Sequence, residues 1–306
     1  MTGLSFERVP APAATAAPVG AARAAATGRV TNAMSVDVED YFQVSAFAGH
    51  IARESWTSLP LRVERNADRV LALFAAHGVR ATFFTLGWVA ERLPVLVRRI
   101  VAEGHELASH GFAHHRIDEL DRAGFAADVA RTKALLEDIG GVAVVGYRAP
   151  SFSIGERTLW AHQVLAEAGY RYSSSVYPIR HDHYGMPEAP RAPFAPVPGL
   201  LEIPLSTVRL GGRNLPCGGG GYFRLFPGWL TRRAIAQVNR REGRACVFYF
   251  HPWEIDPGQP RQKGVSLRTR VRHYSNLGRM EAKLECVLGA FAWDRIDRVF
   301  LAGEGG

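Results

Sequence analysis

The chain has little cysteine: Cys217, Cys246 and Cys286 are its only three in 306 residues. An odd number at wide spacing forms neither a CxxC metal site nor a disulfide framework, and it fits a reducing compartment. Long apolar runs are also missing, so no segment has the length of a membrane span. There is no dense basic run or RNA-binding signature, although the net charge is +8 and is carried mostly by arginine. Scattered arginines argue against nucleic acid, while a basic surface still suits an anionic partner such as an acidic glycan or membrane headgroups. The glycine-rich stretch 210–222 is not a phosphate-binding loop, because no Gly-Lys-Ser/Thr follows it. Residues 1–30 have almost no large hydrophobes and are rich in Ala and Pro, which reads as a disordered tail. Pro10, Pro12, Pro18 and Glu7 spoil a secretory leader there, so the expected location is the cytoplasm.

Hydrophobic content of 47% is enough for a full core. Beyond residue 30 strand-like and helix-like segments alternate. Strands are expected at 30–38, 80–86, 105–109, 142–147, 170–176, 200–208, 245–250 and 298–301. Helices are expected at 61–77, 89–102, 122–139, 156–168, 227–241 and 280–291. Repeated βα units point to a parallel sheet, either a barrel or a doubly wound sheet.

Chemistry-bearing residues cluster at the carboxyl ends of these strands. His110 and His114 are four apart, a spacing that directs two imidazoles at one metal ion if the backbone turns between them. Upstream, Asp37, Glu39 and Asp40 end an apolar run, and a carboxylate with two histidines is a common ligand set. Arg148, Ser173 and His251 also fall at or just past strand ends. Polar loops alone explain one or two such placements; a barrel, which gathers its site at that face, explains all of them.

The order acidic cluster, HxxxH, Arg148-Ala149-Pro150 and His251-Pro252 resembles the polysaccharide deacetylase family, also called NodB-homology or carbohydrate esterase 4. The resemblance runs from about residue 33 to 300. The segments 35–42, 219–224 and 248–254 look closest to the exosortase-associated deacetylases of exopolysaccharide clusters. It implies a distorted (β/α) barrel, one catalytic domain over residues 31–302, and removal of N-acetyl groups from N-acetylhexosamine units. It implies Asp37 as general base, Arg148 as its holder, His251 as general acid, and a divalent metal, Zn²⁺ being expected, on His110, His114 and an acid. Strand alternation favours Glu39 as that acid, with Asp40 left open. Pro150, Phe152, Tyr222 and Trp253 are the expected substrate contacts. Apart from the resemblance, 210–222 reads as a mobile lid or as an irregular connection, with Tyr222 and Arg224 as its candidate residues. The sequence departs from the family at Gly111, where Ser or Thr is usual, and at Ser173, where an aspartate is usual; Asp182 and Glu202 are the candidate replacements.

A glycan substrate and peripheral contact with the inner membrane face or a lipid-linked precursor follow from this reading. Two alternatives stand beside it: a small-amide or cyclic-ureide hydrolase of the same fold, and a glycan-binding pseudoenzyme.

Overall fold

The computed structural model describes residues 29–301; all but the end of the expected N-terminal tail lies outside them. Among the described residues there are eleven strands: β1 (Thr31–Val38), β2 (Thr82–Thr85), β3 (Glu106–Ser109), β4 (Gly146–Tyr147), β5 (Tyr172–Ser173), β6 (Phe194–Val197), β7 (Leu200–Glu202), β8 (Thr207–Leu210), β9 (Arg213–Pro216), β10 (Val247–Phe250) and β11 (Ala292–Asp294). Ten α-helices accompany them in the described residues: α1 (Val63–His77), α2 (Gly87–Arg92), α3 (Pro94–Ala102), α4 (Arg122–Gly140), α5 (Ala161–Glu167), α6 (Gly220–Leu225), α7 (Gly228–Glu242), α8 (Leu267–Tyr274), α9 (Leu277–Leu288) and α10 (Ile296–Phe300). Among the described residues no helix is long and apolar enough to cross a membrane.

Nine strands form one curled sheet in the order β10-β1-β2-β3-β4-β5-β7-β6, with β11 also on β1; every pair is parallel except β6–β7. The expected distorted barrel is therefore present. Its closure uses irregular backbone: Leu205 N–H donates to the Val176 carbonyl, Val247 N–H to Ser206 Oγ, and Tyr249 N–H to the Gly218 carbonyl.

Strand alternation on β1 sets up the site. Met34, Val36 and Val38 point outward into the large core under the helices, so Ser35 and Asp37 point into the barrel. Phe84, Ala108, Val247 and Tyr249 form part of the apolar interior.

Several elements differ from expectation. The final segment 298–301 belongs to helix α10, and the terminal strand is β11 upstream; a four-residue apolar run does not distinguish the two. Ile296 N–H donates to Thr82 Oγ1, which seats the start of α10 against the barrel wall. Pro94 splits the expected helix 89–102 into α2 and α3, because it cannot donate to the preceding turn. The strands at 142–147 and 170–176 shrink to two residues each.

The stretch 210–222, expected as a lid or an irregular connection, begins as a hairpin turn. It completes the β8–β9 hairpin and then runs under β10, where Gly219 has φ +108° and an added Cβ would lie 2.0 Å from the Tyr249 carbonyl oxygen. Glycine is required there because backbone passes over backbone.

His105 gives the fold a defined acid sensitivity. It is buried, and its Nδ1 accepts from Ala81 N–H, which only an unprotonated nitrogen can do. Burial, with the Arg80 and Arg295 charges, holds it down to about 4. Its folded value lies below its unfolded value, so its contribution is complete above about pH 6.5 and is lost as pH falls towards 4. Denaturant unfolding at pH 7 and pH 4.5 should show the wild type losing about 2 kcal/mol more than His105→Gln across that interval.

Candidate active site

The site forms where β1, β3, β4 and β10 end. Asp37 closes the inward row of β1, and Glu39 follows through a tight turn in which its N–H donates to the Asp37 carbonyl at 3.0 Å. His110 leaves β3 with its N–H on the Thr85 carbonyl, and the loop to His114 is bonded to the start of α2 by Gly87 and Trp88 N–H groups. Gly111 has φ +72°, a conformation that a serine or threonine would adopt only with strain, which accounts for the glycine there. His114 itself has φ +52°, a left-handed conformation uncommon for a non-glycine residue.

Glu39, His110 and His114 each offer a ligand atom, all within 4.8 Å of one another and all buried. Glu39 Oε2 approaches His114 Nε2 to 2.8 Å, yet no hydrogen bond is aligned on that oxygen. A buried carboxylate oxygen without a donor is costly, and a cation between these atoms removes the cost. His110 Nδ1 lies 2.8 Å from the Arg148 carbonyl and must donate to it, which leaves Nε2 as a free lone pair. Burial holds His110 down to about 4, so it is neutral and able to ligate. Against the upward push of burial, the His114 and His251 charges hold the Glu39 carboxyl well below the usual range. The donor set of one carboxylate and two imidazoles fits a divalent ion of the zinc kind.

Asp40 is not part of this group. Its Oδ2 accepts from Arg62 and Val63 N–H at 2.6 and 2.9 Å, and its Oδ1 from Tyr41 N–H at 2.8 Å. It satisfies the first amides of α1 and so is directed away from the histidines.

Arg148 is fully buried. Its Nη1 donates to Asp37 Oδ1 at 2.6 Å and Ser35 Oγ at 2.8 Å; its Nε donates to the Ser174 carbonyl at 3.1 Å. Its guanidinium lies over the Phe84 ring, 4.0 Å from the centroid. Asp37 is thus held by one oxygen, and the other faces His251 Nε2 at 3.8 Å.

His251 is fixed by a residue not singled out from the sequence. Glu254, three positions on through the turn that Pro252 begins, approaches His251 Nδ1 to 2.7 Å with Oε1. Its Oε2 pairs at 2.5 Å with the buried Arg224, which also donates to the Arg272, His273 and Ser275 carbonyls. Burial alone would lower His251, but Glu39, Glu254 and Asp37 carry it up to about 9. Burial likewise opposes ionisation of Glu254, yet Arg224 and His251 bring it down to about 2. A His-x-x-Glu spacing across a proline turn was the available signal.

Neither candidate replacement for the aspartate absent at Ser173 has a contact with His251 among the described residues. Glu202 accepts from Ser175 and Val176 N–H, each at 2.8 Å, and lies 3.1 Å from His162. Asp182 pairs with Arg268 and Arg272. Ser173 Oγ donates to Ser175 Oγ.

The four expected substrate contacts separate. Trp253 is buried and stacked between His251 and His273, and its Nε1–H donates to Glu39 Oε1 at 3.1 Å, so it positions the Glu39 carboxylate. Pro150 is buried, and Phe152 packs edge-on against Tyr249 at 4.8 Å. Tyr222 alone is half exposed, with its ring near His181 and Phe226. Arg224, suspected as a lid residue, is the anchor of Glu254.

Residues 58–173 match the polysaccharide deacetylase family, and residues 174–301 match a domain of unknown function, DUF3473. The chain contains a polysaccharide deacetylase domain of the NodB-homology class. His110, His114 and Arg148 lie inside the first match; Asp37 and Glu39 precede it; His251, Trp253, Glu254 and Arg224 lie in the second.

The chain is 33% identical over 94 residues to a peptidoglycan-N-acetylglucosamine deacetylase of Bacillus cereus, covering 30% of this chain and 34% of that one. It is 31% identical over 108 residues to a chitooligosaccharide deacetylase of a Bradyrhizobium species, covering 35% and 47%. The chain thus spans between a third and a half of the length of these relatives, which are deacetylases by name. Among solved structures, a putative polysaccharide deacetylase from Mycobacterium smegmatis shares the fold with a TM-score of 0.59 at 22% identity, covering 94% and 93% of the two chains. A PuuE allantoinase shares it at 0.56 and 16% identity, covering 90% and 91%.

Proposed function

We propose that the protein is a metal-dependent N-deacetylase acting on N-acetylhexosamine units of a polysaccharide. The observation that supports this most is the convergence of Glu39, His110 and His114 beside a carboxylate and an imidazole 3.8 Å apart. Glu39, His110 and His114 are the residues that would hold the cation. A bound divalent ion of this kind supplies Lewis acidity towards an amide carbonyl and acidifies water.

The chain's own residues supply the proton transfers. Asp37 presents Oδ2 to water as general base, because Arg148 occupies Oδ1 and prevents the carboxylate from turning away. His251 presents Nε2 as general acid, because Glu254 holds Nδ1 and fixes the ring. Water attack forms the C–O bond of acetate; the C–N bond breaks, and the amine leaves with the proton from His251. Trp253 keeps Glu39 facing the two histidines.

In its finer form the proposal makes the substrate an exopolysaccharide or its lipid-linked precursor, met at a membrane face; the net charge of +8 suits such a surface. The test is acetate release from N-acetylglucosamine oligomers by purified protein, by chelator-treated protein and by the latter with Zn²⁺ restored. Release lost on chelation and regained with zinc is expected. Stoichiometric metal with no release from glycans, but turnover of a cyclic ureide, would assign the site to small amides instead.

A further inference from the structure

The connection from α6 to α7 exposes an unusual set of apolar side chains. Leu225, Phe226, Trp229 and Leu230 are each between 39 and 58% exposed, and Pro227 between them is exposed as well. Being consecutive, they form one projecting tip rather than scattered surface residues. The tip is held from beneath, because Lys283 Nζ donates to the Arg224 and Phe226 carbonyls at 3.1 and 2.7 Å.

Behind it the surface turns basic. α7 buries Thr231, Ile235 and Val238, so its outer side carries Trp229, then Arg232 and Arg233 one turn on, then Arg240. None of these arginines has an acidic partner among the described residues. The sole acid of the helix, Glu242, is taken by Arg191 and Arg244. A second helix repeats the pattern. α8 is tied to α6 through Arg224, and it exposes Leu267 and Val271, one turn apart, by 76 and 48%, with Arg270 unpaired between them.

Apolar and aromatic groups outermost, with free guanidinium groups one turn behind, match the order of a bilayer from its acyl boundary to its phosphates. A second copy of this chain is a poor occupant, since the same unpaired arginines would face each other.

We propose that the tip 225–230, with Arg232 and Arg233, docks the protein on an anionic phospholipid bilayer. The inference deepens the membrane-face reading given above and rests on it.

The test is co-sedimentation of the full chain with vesicles of phosphatidylcholine alone and with added phosphatidylglycerol. Binding to the anionic vesicles is expected, falling at least about tenfold for Phe226→Ser/Trp229→Ser through loss of buried apolar area. Arg232→Glu/Arg233→Glu should lose the preference for anionic lipid. Both variants should release acetate from soluble oligomers as the wild type does.

Absence of binding to either vesicle, or binding unchanged in both variants, overturns the proposal. So does a dimer in light scattering that Phe226→Ser/Trp229→Ser disperses, which assigns the tip to a second copy. Sedimentation is read without turnover: a chain that binds vesicles but releases no acetate defeats the deacetylase reading alone, and a chain that releases acetate but does not sediment defeats this one.

Discussion

Asp37→Asn should lower acetate release by roughly 10²–10⁴-fold, the range for removing a positioned general base, while leaving metal content unchanged. Asp37 lies outside the group Glu39, His110 and His114 that would hold the metal, so its loss is expected to spare that group. Asparagine keeps an oxygen that can accept from Arg148 Nη1, but it has no basic site for the water proton. The substitution also leaves Arg148 buried without the acid that neutralises it, and that cost reaches about 3–5 kcal/mol when such a pair is broken outright. Activity must therefore be read below the variant's own melting temperature, with bound metal assayed on the same sample. Retained turnover in a folded, metal-loaded variant would remove Asp37 from the mechanism.

The second large effect is expected at Arg224. Arg224→Met removes the partner of buried Glu254 and the donor to three carbonyl groups of the segment 272–275, costing about 3–5 kcal/mol. Glu254→Gln should leave more of the fold intact and lower kcat roughly 10–100-fold, as removal of a supporting contact does around comparable sites. The double variant Arg224→Met/Glu254→Gln should be more stable than Arg224→Met, because the stranded carboxylate is gone. Chemical denaturation of the three variants checks this. A double variant no more stable than Arg224→Met would show that the carbonyl contacts, not the ion pair, carry the stabilisation.

Much of the site was readable in order along the chain. Asp37, His110, Arg148 and His251 each lie at or just past the end of a β-like run. The carboxylate beside the histidines was only half readable. Alternation favoured Glu39, but Glu39 reaches the histidines through a turn after the strand has ended. What removes Asp40 is the amides of Arg62 and Val63, more than 20 residues away. The departures at Gly111 and Ser173 also resolve only in three dimensions: one is a left-handed backbone, and at the other the carboxylate beside His251 comes from Glu254 in its own turn.

The short β4 and β5, and the confusion of α10 with a strand, have a common cause. Runs of two to five residues carry too little periodicity to separate helix from strand, and tertiary hydrogen bonds decide them. Gly219 is a related case: glycine usually reads as freedom, but there it permits backbone to cross backbone at Tyr249.

The amino-acid sequence by itself determined the alternation of βα units, the placement of Asp37 at a strand end, and the residue types able to hold a metal and move protons, because these depend on local period and side-chain chemistry. Only the tertiary structure decided that Glu39 and not Asp40 joins the histidines, that Glu254 and Arg224 hold His251, and that residues 217–219 close the barrel. Each of those outcomes is a contact between segments far apart in the chain, set by burial and by the need of every buried polar group for a partner.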